Sequence, residues 1–403
     1  MTNTHPFRNG LMADLHLHAV KSTDPEAQRK GIVDVSCASS EYRGISLDQF
    51  LDAKRKSKEG YYEECFLDTV SLFQDARVPP SLHLVDALVH AVMDEDFPDA
   101  LTFLTIGTPN CFTTEEIIRL SEAFRGKTRR AMTAPIEGRI QVSQKQEGLL
   151  IDIIPSAPLS FEWKKLAAQL EAVALSAEAI GYRPVVKAHP LIQQFSLGQI
   201  PKDIFLLLND FGALLVTHTG VFQGGPCKVG DGIPDIEAAD PEHLRKPAER
   251  YKHIDFVLSH MGTPDRVVEQ YWINKGIRVA HFRDALRLVL DFPNVYGDIG
   301  GLMYNASTQG RYGEGASKEE VDFAPRCQMA FENLIWRRDD RTNYSKEVRL
   351  ADKLVFGSDF PRTSLPELKK QMRVLGRGEH AKSMRNLRNN LAHRSYKLAR
   401  LKR

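Results

Sequence analysis

Two short apolar runs that end in metal-binding side chains constrain this chain more than anything else in it. Leu354, Val355 and Phe356 lead through Gly357 and Ser358 to Asp359 and Pro361; far upstream, Ala13 to His18 reads Ala-Asp-Leu-His-Leu-His. A run of Leu, Val and Phe bounded by Gly and Pro is the pattern of a fully buried strand. A carboxylate at the end of such a strand is costly to bury unless a cation or hydrogen-bond donor meets it. His16 and His18 are two apart, so on a strand they project from one face, with Asp14 one step below and Leu15 and Leu17 on the other side. Asp14 is then expected to hold a ligand ring or to lie in a buried polar layer. Paired imidazoles with an aspartate at another strand end are the donor types of a zinc-like site.

Further strands follow in a regular rhythm. Ala100 to Gly107 reads as a buried strand, and Thr113 with Glu116 fits a capping box opening the next helix. Arg130–Ile136 and Leu149–Pro155 are competing strand candidates around a Gly138–Gly148 hairpin. Ser160 is expected to cap a long helix with an apolar stripe of Trp163, Leu166, Leu170, Val173, Ala177 and Ile180. Strands are expected at Pro184–His189, Ala213–His218, Ile254–His260 and Asn294–Asp298, separated by helices. Thr263 and Pro264 are expected to open one of these helices. Alternation at this spacing implies βαβ units and a parallel sheet.

Lys187, His189, His218, His260, Asp298 and Asp359 all come after an apolar run and never before one. Taken singly each has a plain structural reading: a buried hydrogen-bonded His, a helix cap, a snorkelling Lys. Their recurrence at one end of successive strands points to a site at the carboxyl ends of a barrel. An open sheet binds near its switch point and would not bring its first and last strands together; a closed barrel does. The expected fold is therefore α/β, a (β/α)8 TIM barrel with helical insertions, as a single domain over 1–403. That barrel needs only about 250 residues, so the surplus falls at about 19–100 and 302–350. The first of these is either extra packing or a lid.

Lys and Arg number 54 against 52 Asp and Glu, a net charge of +2, so neither nucleic acid nor a membrane surface is an expected partner. No apolar segment approaches a bilayer's thickness. Five scattered cysteines without a Cys-x-x-Cys pair point to a reducing compartment, the cytoplasm. The basic C-terminal run, with Met384, Leu387, Leu391 and Leu398 interleaved, reads as an amphipathic helix docked on the barrel.

The Asp-x-His-x-His of the first strand, Thr217-His218-Thr219-Gly220, Ser259-His260-Met261-Gly262 and Phe356 to Pro361 together resemble the amidohydrolase superfamily. The similarity is strongest to the branch that includes aminocarboxymuconate-semialdehyde decarboxylase. It covers 11–18, 184–361 and the tail, where Asn390-Leu391-Ala392 is similar to that branch's ending. It implies that His16, His18, His218 and Asp359 hold one divalent metal, with zinc the expectation, and that His260 stands beside it. By the same resemblance, Asp359 takes a proton from a metal-activated water and His260 polarises a carbonyl. Lys187 is an additional ligand candidate, carboxylated and bridging, in a binuclear alternative. Lys228 and Arg266 are candidates to bind a substrate carboxylate, and His189 is a further candidate to touch substrate. The implied activity is metal-dependent hydrolysis of a small amide, lactone or ester. The alternatives are non-oxidative decarboxylation on the same site, or a metal-free binding or scaffold barrel. A homo-oligomer stays open.

Overall fold

The apolar runs pair, in chain order, into one parallel eight-stranded sheet. The computed structural model describes residues 13–19, 60–81, 84–85, 88–89, 99–109, 111–125, 151–220, 228–263, 271, 273–277, 280–298, 353–357 and 391–401. The strands are β1 (Ala13–His18), β2 (Ala100–Leu104), β3 (Asp152–Pro158), β4 (Val185–Ala188), β5 (Leu214–Gly220), β6 (Asp255–Thr263), β7 (Val295–Asp298) and β8 (Leu354–Val355). Each lies beside its sequence neighbours, and every pairing is parallel. The seam between last and first is bridged where the Leu15 N–H donates to the Phe356 carbonyl at 3.2 Å. The architecture is the expected (β/α)8 barrel.

Two apolar layers account for the buried runs. Ala13, Leu15, Ala100, Leu104, Ile154, Val185, Leu214, Val216, Val257 and Val355 form one cluster with the C-terminal Leu398 and Ala399. Alternate strand residues, among them Leu17, Phe103, Ile153, Val186, Leu215, Phe256 and Val295, join the helices in a second. A strand buried on both faces reads as a continuous apolar run. That is why these strands were visible in the sequence.

The helices shield the second layer. Helix α1 (Gly60–Asp75) inserts Phe66 and Phe73; α2 (Thr114–Phe124) inserts Ile117, Leu120 and Phe124, and Phe73 meets Phe124 edge to face at 6.3 Å between ring centroids. Leu84, Val85 and Leu88 are fully buried in the same cluster. The described residues of that stretch pack as a layer of the barrel wall. The capping box of α2 is present: Thr113 Oγ1 accepts from the Glu116 N–H at 3.2 Å, and the Thr113 N–H donates to Glu116 Oε2 at 2.7 Å.

Several boundaries differ from those expected. The third strand is Asp152–Pro158, displaced toward the C-terminus of the expected 149–155. Helix α3 (Trp163–Ala179) starts after Glu162. Ser160 Oγ instead accepts the Glu162 N–H at 3.2 Å and turns the chain into the helix. Leu166, Leu170, Val173 and Ala177 form the buried stripe, but Trp163 is 51% exposed. Strand β4 stops at Ala188 because His189 caps the short helix Pro190–Gln193. The expected strand candidate at 130–136, the hairpin at 138–148, the helix after Thr263, the insertion at 302–350 and the basic residues 377–388 lie outside the described residues. Among the described residues no helix is long and apolar enough to cross a membrane.

The amino-terminal mouth of the barrel is locked by charge. Arg183, before β4, pairs with Asp255 at the start of β6, and both side chains are buried. The same guanidinium donates to the carbonyls of Gly212, Ala213 and His253. The helical tail 391–399 docks here. Ser395 Oγ accepts the Phe356 N–H at 2.7 Å, and the Arg183 N–H donates to the Ala399 carbonyl at 2.9 Å. Removing one member of a buried ion pair leaves an uncompensated charge. Asp255→Ala is therefore expected to cost about 3–5 kcal/mol, read as a lower urea midpoint.

Candidate functional site

Two irregular strands aim the polar side chains. In β1 the register to β2 slips between Asp14 and Leu17, so Ala13 lies opposite Ala100 and His18 opposite Leu104 with one extra residue between. Such a bulge re-aims side chains. It puts Leu15 in the inner cluster and still lets His16 point into the barrel. The expected simple alternation, with Asp14, His16 and His18 on one face, is therefore corrected. Asp14 pairs with Leu101, whose side chain lies in the outer layer, and its Oδ1 accepts the His16 N–H at 2.9 Å. It braces the bulge.

The second irregularity is in β6. His218 pairs with Ser259 and Gly220 with Thr263, so three residues bulge out: His260, Met261 and Gly262. All three have positive φ, at 64°, 48° and 61°. Ser259 faces the interior, where its Oγ accepts from Lys187 Nζ at 3.3 Å. Regular alternation would turn the next residue outward; the left-handed backbone swings His260 back among the other histidines. Gly262 is required there on a second count, because a Cβ would lie 2.6 Å from the His281 carbonyl carbon.

The result is a closed circuit of five imidazoles. Ring centroids stand 4.9 Å apart for His16 and His18, 6.3 Å for His18 and His189, 4.3 Å for the stacked His189 and His218, 5.0 Å for His218 and His260, and 4.9 Å for His260 and His16. His189 is fixed by its cap: Nδ1 accepts the Ile192 N–H at 3.4 Å, and its own N–H donates to Gln193 Oε1 at 2.7 Å.

Beneath the circuit lies a fully buried floor of His16, Lys187 and Asp298. His16 Nδ1 is 2.6 Å from Asp298 Oδ2. A neutral ring that donates there carries its lone pair on Nε2. That nitrogen faces Lys187 Nζ and His18 Nε2, each at 3.1 Å. Gly357, leaving β8, backs directly on this carboxylate: a Cβ would lie 2.6 Å from Asp298 Oδ1 and Oδ2. Burial pushes the pKa of His16 well below its ordinary value, with the Lys187 charge a smaller cause. His18 is lowered by burial and then by Lys187; His189 by burial and then by His218 and Lys187. The rings are thus neutral, the form that binds metals.

This donor set suits a divalent ion. Two nitrogens each about 2.0–2.1 Å from a tetrahedral zinc stand roughly 3.3 Å apart, close to the 3.1 Å between the Nε2 atoms of His16 and His18. His16, His260 and Asp298 also offer ligand atoms within 4.8 Å of one another.

The structure thus brings together His16, His18, Lys187, His189, His218 and His260. Lys228 is exposed on a two-stranded ribbon formed by Lys228–Val229 and Ile233–Pro234. Asp359 and Arg266 lie outside the described residues. Sequence reasoning singled out Asp298 as a strand-end carboxylate but gave it no task. Ser259 and Thr219 were seen only as letters of a motif. The signal for Asp298 was the one applied to Asp359, an acid closing an apolar strand.

Residues 160–375, more than half of the chain, match the family model described as Amidohydrolase. The chain belongs to the amidohydrolase family. The superfamily resemblance read from the strand-end motifs is borne out, and this amidohydrolase is an enzyme. The matched stretch holds β4 to β8; the His16–His18 pair lies outside it and is delivered by the fold. No curated protein matches the sequence. Among solved structures, one similar chain is a probable 2-pyrone-4,6-dicarboxylic acid hydrolase from Acinetobacter baumannii, at 13% identity and TM-score 0.41, covering 96% of this chain and 99% of that one. Another is 5-carboxyvanillate decarboxylase from Sphingomonas paucimobilis, at 11% identity and TM-score 0.38, covering 97% and 99%. A dihydroxybenzoic acid decarboxylase from a Polaromonas species, with bound manganese and an inhibitor, matches at 12% identity and TM-score 0.32, covering 62% and 69%.

The depressed histidines of this amidohydrolase make its stability depend on pH. Unfolded, these rings take up protons near their ordinary value of 6.5; folded, they do so only well below it. The unfolded state therefore binds more protons below that value, and stability falls as the pH falls. The urea midpoint of chelator-treated protein is expected to be highest above about pH 7 and to drop steadily below about pH 6. A flat midpoint across that range would contradict neutral buried rings.

Proposed function

We propose that the protein is a metal-dependent hydrolase acting on a small carbonyl substrate: an amide, a lactone or an ester. The observation that carries this reading is the imidazole circuit above a buried Lys187–His16–Asp298 floor. Nitrogen-rich donors at carboxyl strand ends suit zinc. In this reading His16, His18, His218 and Asp359 hold the ion. When bound, zinc would lower the pKa of its water to about 7 and polarise a carbonyl.

The protein's own groups do the rest. Asp298 holds His16 with its lone pair toward the site. Asp359 takes the proton from the attacking water, and His260 supports the oxyanion that develops on the substrate. Lys187 Nζ stands 3.1 Å from His16 Nε2 and 3.3 Å from Ser259 Oγ, so it borders the ion's place, and in this reading it remains an amine beside a single ion. His189, stacked on His218, touches substrate at the same rim, and Lys228 and Arg266 supply charge for a carboxylate on it. The scattered cysteines, with Cys111 buried outside any disulfide and accepting from Thr108 Oγ1, support a cytoplasmic setting.

Elemental analysis of the purified protein is expected to find close to one equivalent of zinc, and His218→Ala to strip it while the circular dichroism stays native. Asp298→Asn, which keeps the shape but weakens the acceptor, should loosen the metal roughly 10- to 100-fold without loss of fold. Full zinc in His218→Ala would sink the ligand set. A panel of amides, lactones and esters, followed by titration of new acid and by headspace CO2, separates hydrolysis from decarboxylation. CO2 without net hydrolysis would replace the hydrolase reading with the decarboxylase one.

A further inference from the structure

The left-handed turn that brings His260 into the site is held by one side chain on the neighbouring strand. Thr219 of β5 stands opposite the bulge, between the His218–Ser259 and Gly220–Thr263 pairs. Its hydroxyl donates to the Ser259 carbonyl at 2.8 Å and accepts the Gly262 N–H at 2.9 Å. Those two backbone groups flank His260 and Met261. The threonine is buried, at 1% exposure, and Met261 is fully buried. The ordinary ladder is interrupted at the bulge, and the Thr219 hydroxyl supplies a donor and an acceptor across the gap. Two successive non-glycine residues at positive φ are sterically costly and persist only when their surroundings fix them.

We infer that Thr219 is a positioning residue for His260: its hydroxyl clasps both ends of the left-handed turn and sets the imidazole against His16 and His218. The inference rests on the proposed role of His260 and goes beyond it. A second-strand hydroxyl, touching neither metal nor substrate, sets where the oxyanion partner stands. Displacement of a reacting group by about 1 Å can cost on the order of 100-fold in rate. The clasp therefore acts on turnover and leaves ground-state binding and metal content alone.

The test compares Thr219→Val, which keeps the shape and removes both bonds, with Thr219→Ser, which keeps the hydroxyl. Thr219→Ala serves as a second bond-deleting variant if Val does not fold. Protein labelled with 13C-histidine is read by its ring C–H signals, the His260 signal being assigned by its loss in His260→Gln. Hydrolysis of 4-nitrophenyl acetate and metal content are measured on the same samples. Thr219→Val is expected to shift the His260 signal and to lower kcat about 10- to 100-fold. KM should move less than about threefold and zinc should be unchanged; Thr219→Ser should restore signal and rate. A His260 signal that stays put in Thr219→Val overturns the clasp, as does an unchanged kcat where His260→Gln has lost turnover. Unchanged turnover in His260→Gln instead overturns the role given to His260, and the signal still decides the clasp.

Discussion

The bond between His16 and Asp298 is the constraint on which the site depends. Neither side chain has any exposed surface, and the bond joins the first strand to the seventh across the interior. A buried carboxylate without a donor would be costly. Here it accepts from a ring that burial keeps neutral. That ring then spends its other nitrogen on the side facing Lys187 and His18. Four strands thus report on one imidazole: β1 carries it, β7 holds it, β4 presents a cation to it and β6 sets His260 beside it. Moving any of them disturbs the same lone pair.

The two bulges are how a regular barrel supplies that convergence. Ideal pleating sends successive side chains to opposite faces. A strand that obeyed it could not present both Leu15 to the inner cluster and His16 to the site, nor both Ser259 and His260. Each irregularity has its own brace. Asp14 accepts the His16 N–H in β1; Thr219 closes over the turn in β6. The polar side chains of the motifs therefore divide into those that face the site and those that shape the backbone behind them.

Most of the barrel was legible because doubly buried strands write themselves as apolar runs, and five of the imidazoles because each ends such a run. What the pattern could not carry was facing. An Asp-x-His-x-His on a flat strand puts all three on one side; a single inserted position puts Asp14 on the other. The period-two rule has no symbol for a bulge without a partner strand to register against. Asp298 was visible but mute for a related reason: its task is set by a histidine on the first strand, and distance in sequence hides it. Trp163 fitted a helical stripe yet stands in solvent, since a stripe records which residues share a face and not how far the layer beneath extends.

The seam of the barrel has a consequence for how the molecule comes into being. Leu15 meets Phe356, and the tail helix clips onto that same Phe356 through Ser395. Contacts between such distant parts of the chain are the slowest to form. Every earlier strand can pair with its neighbour while the histidines of β1 still face water across an open edge. In the proposed reading, cation affinity then belongs to the closed barrel alone, because only closure brings the β1 imidazoles against those that follow β4 and those of β5 and β6. A half-built chain holds the imidazoles but not the cage.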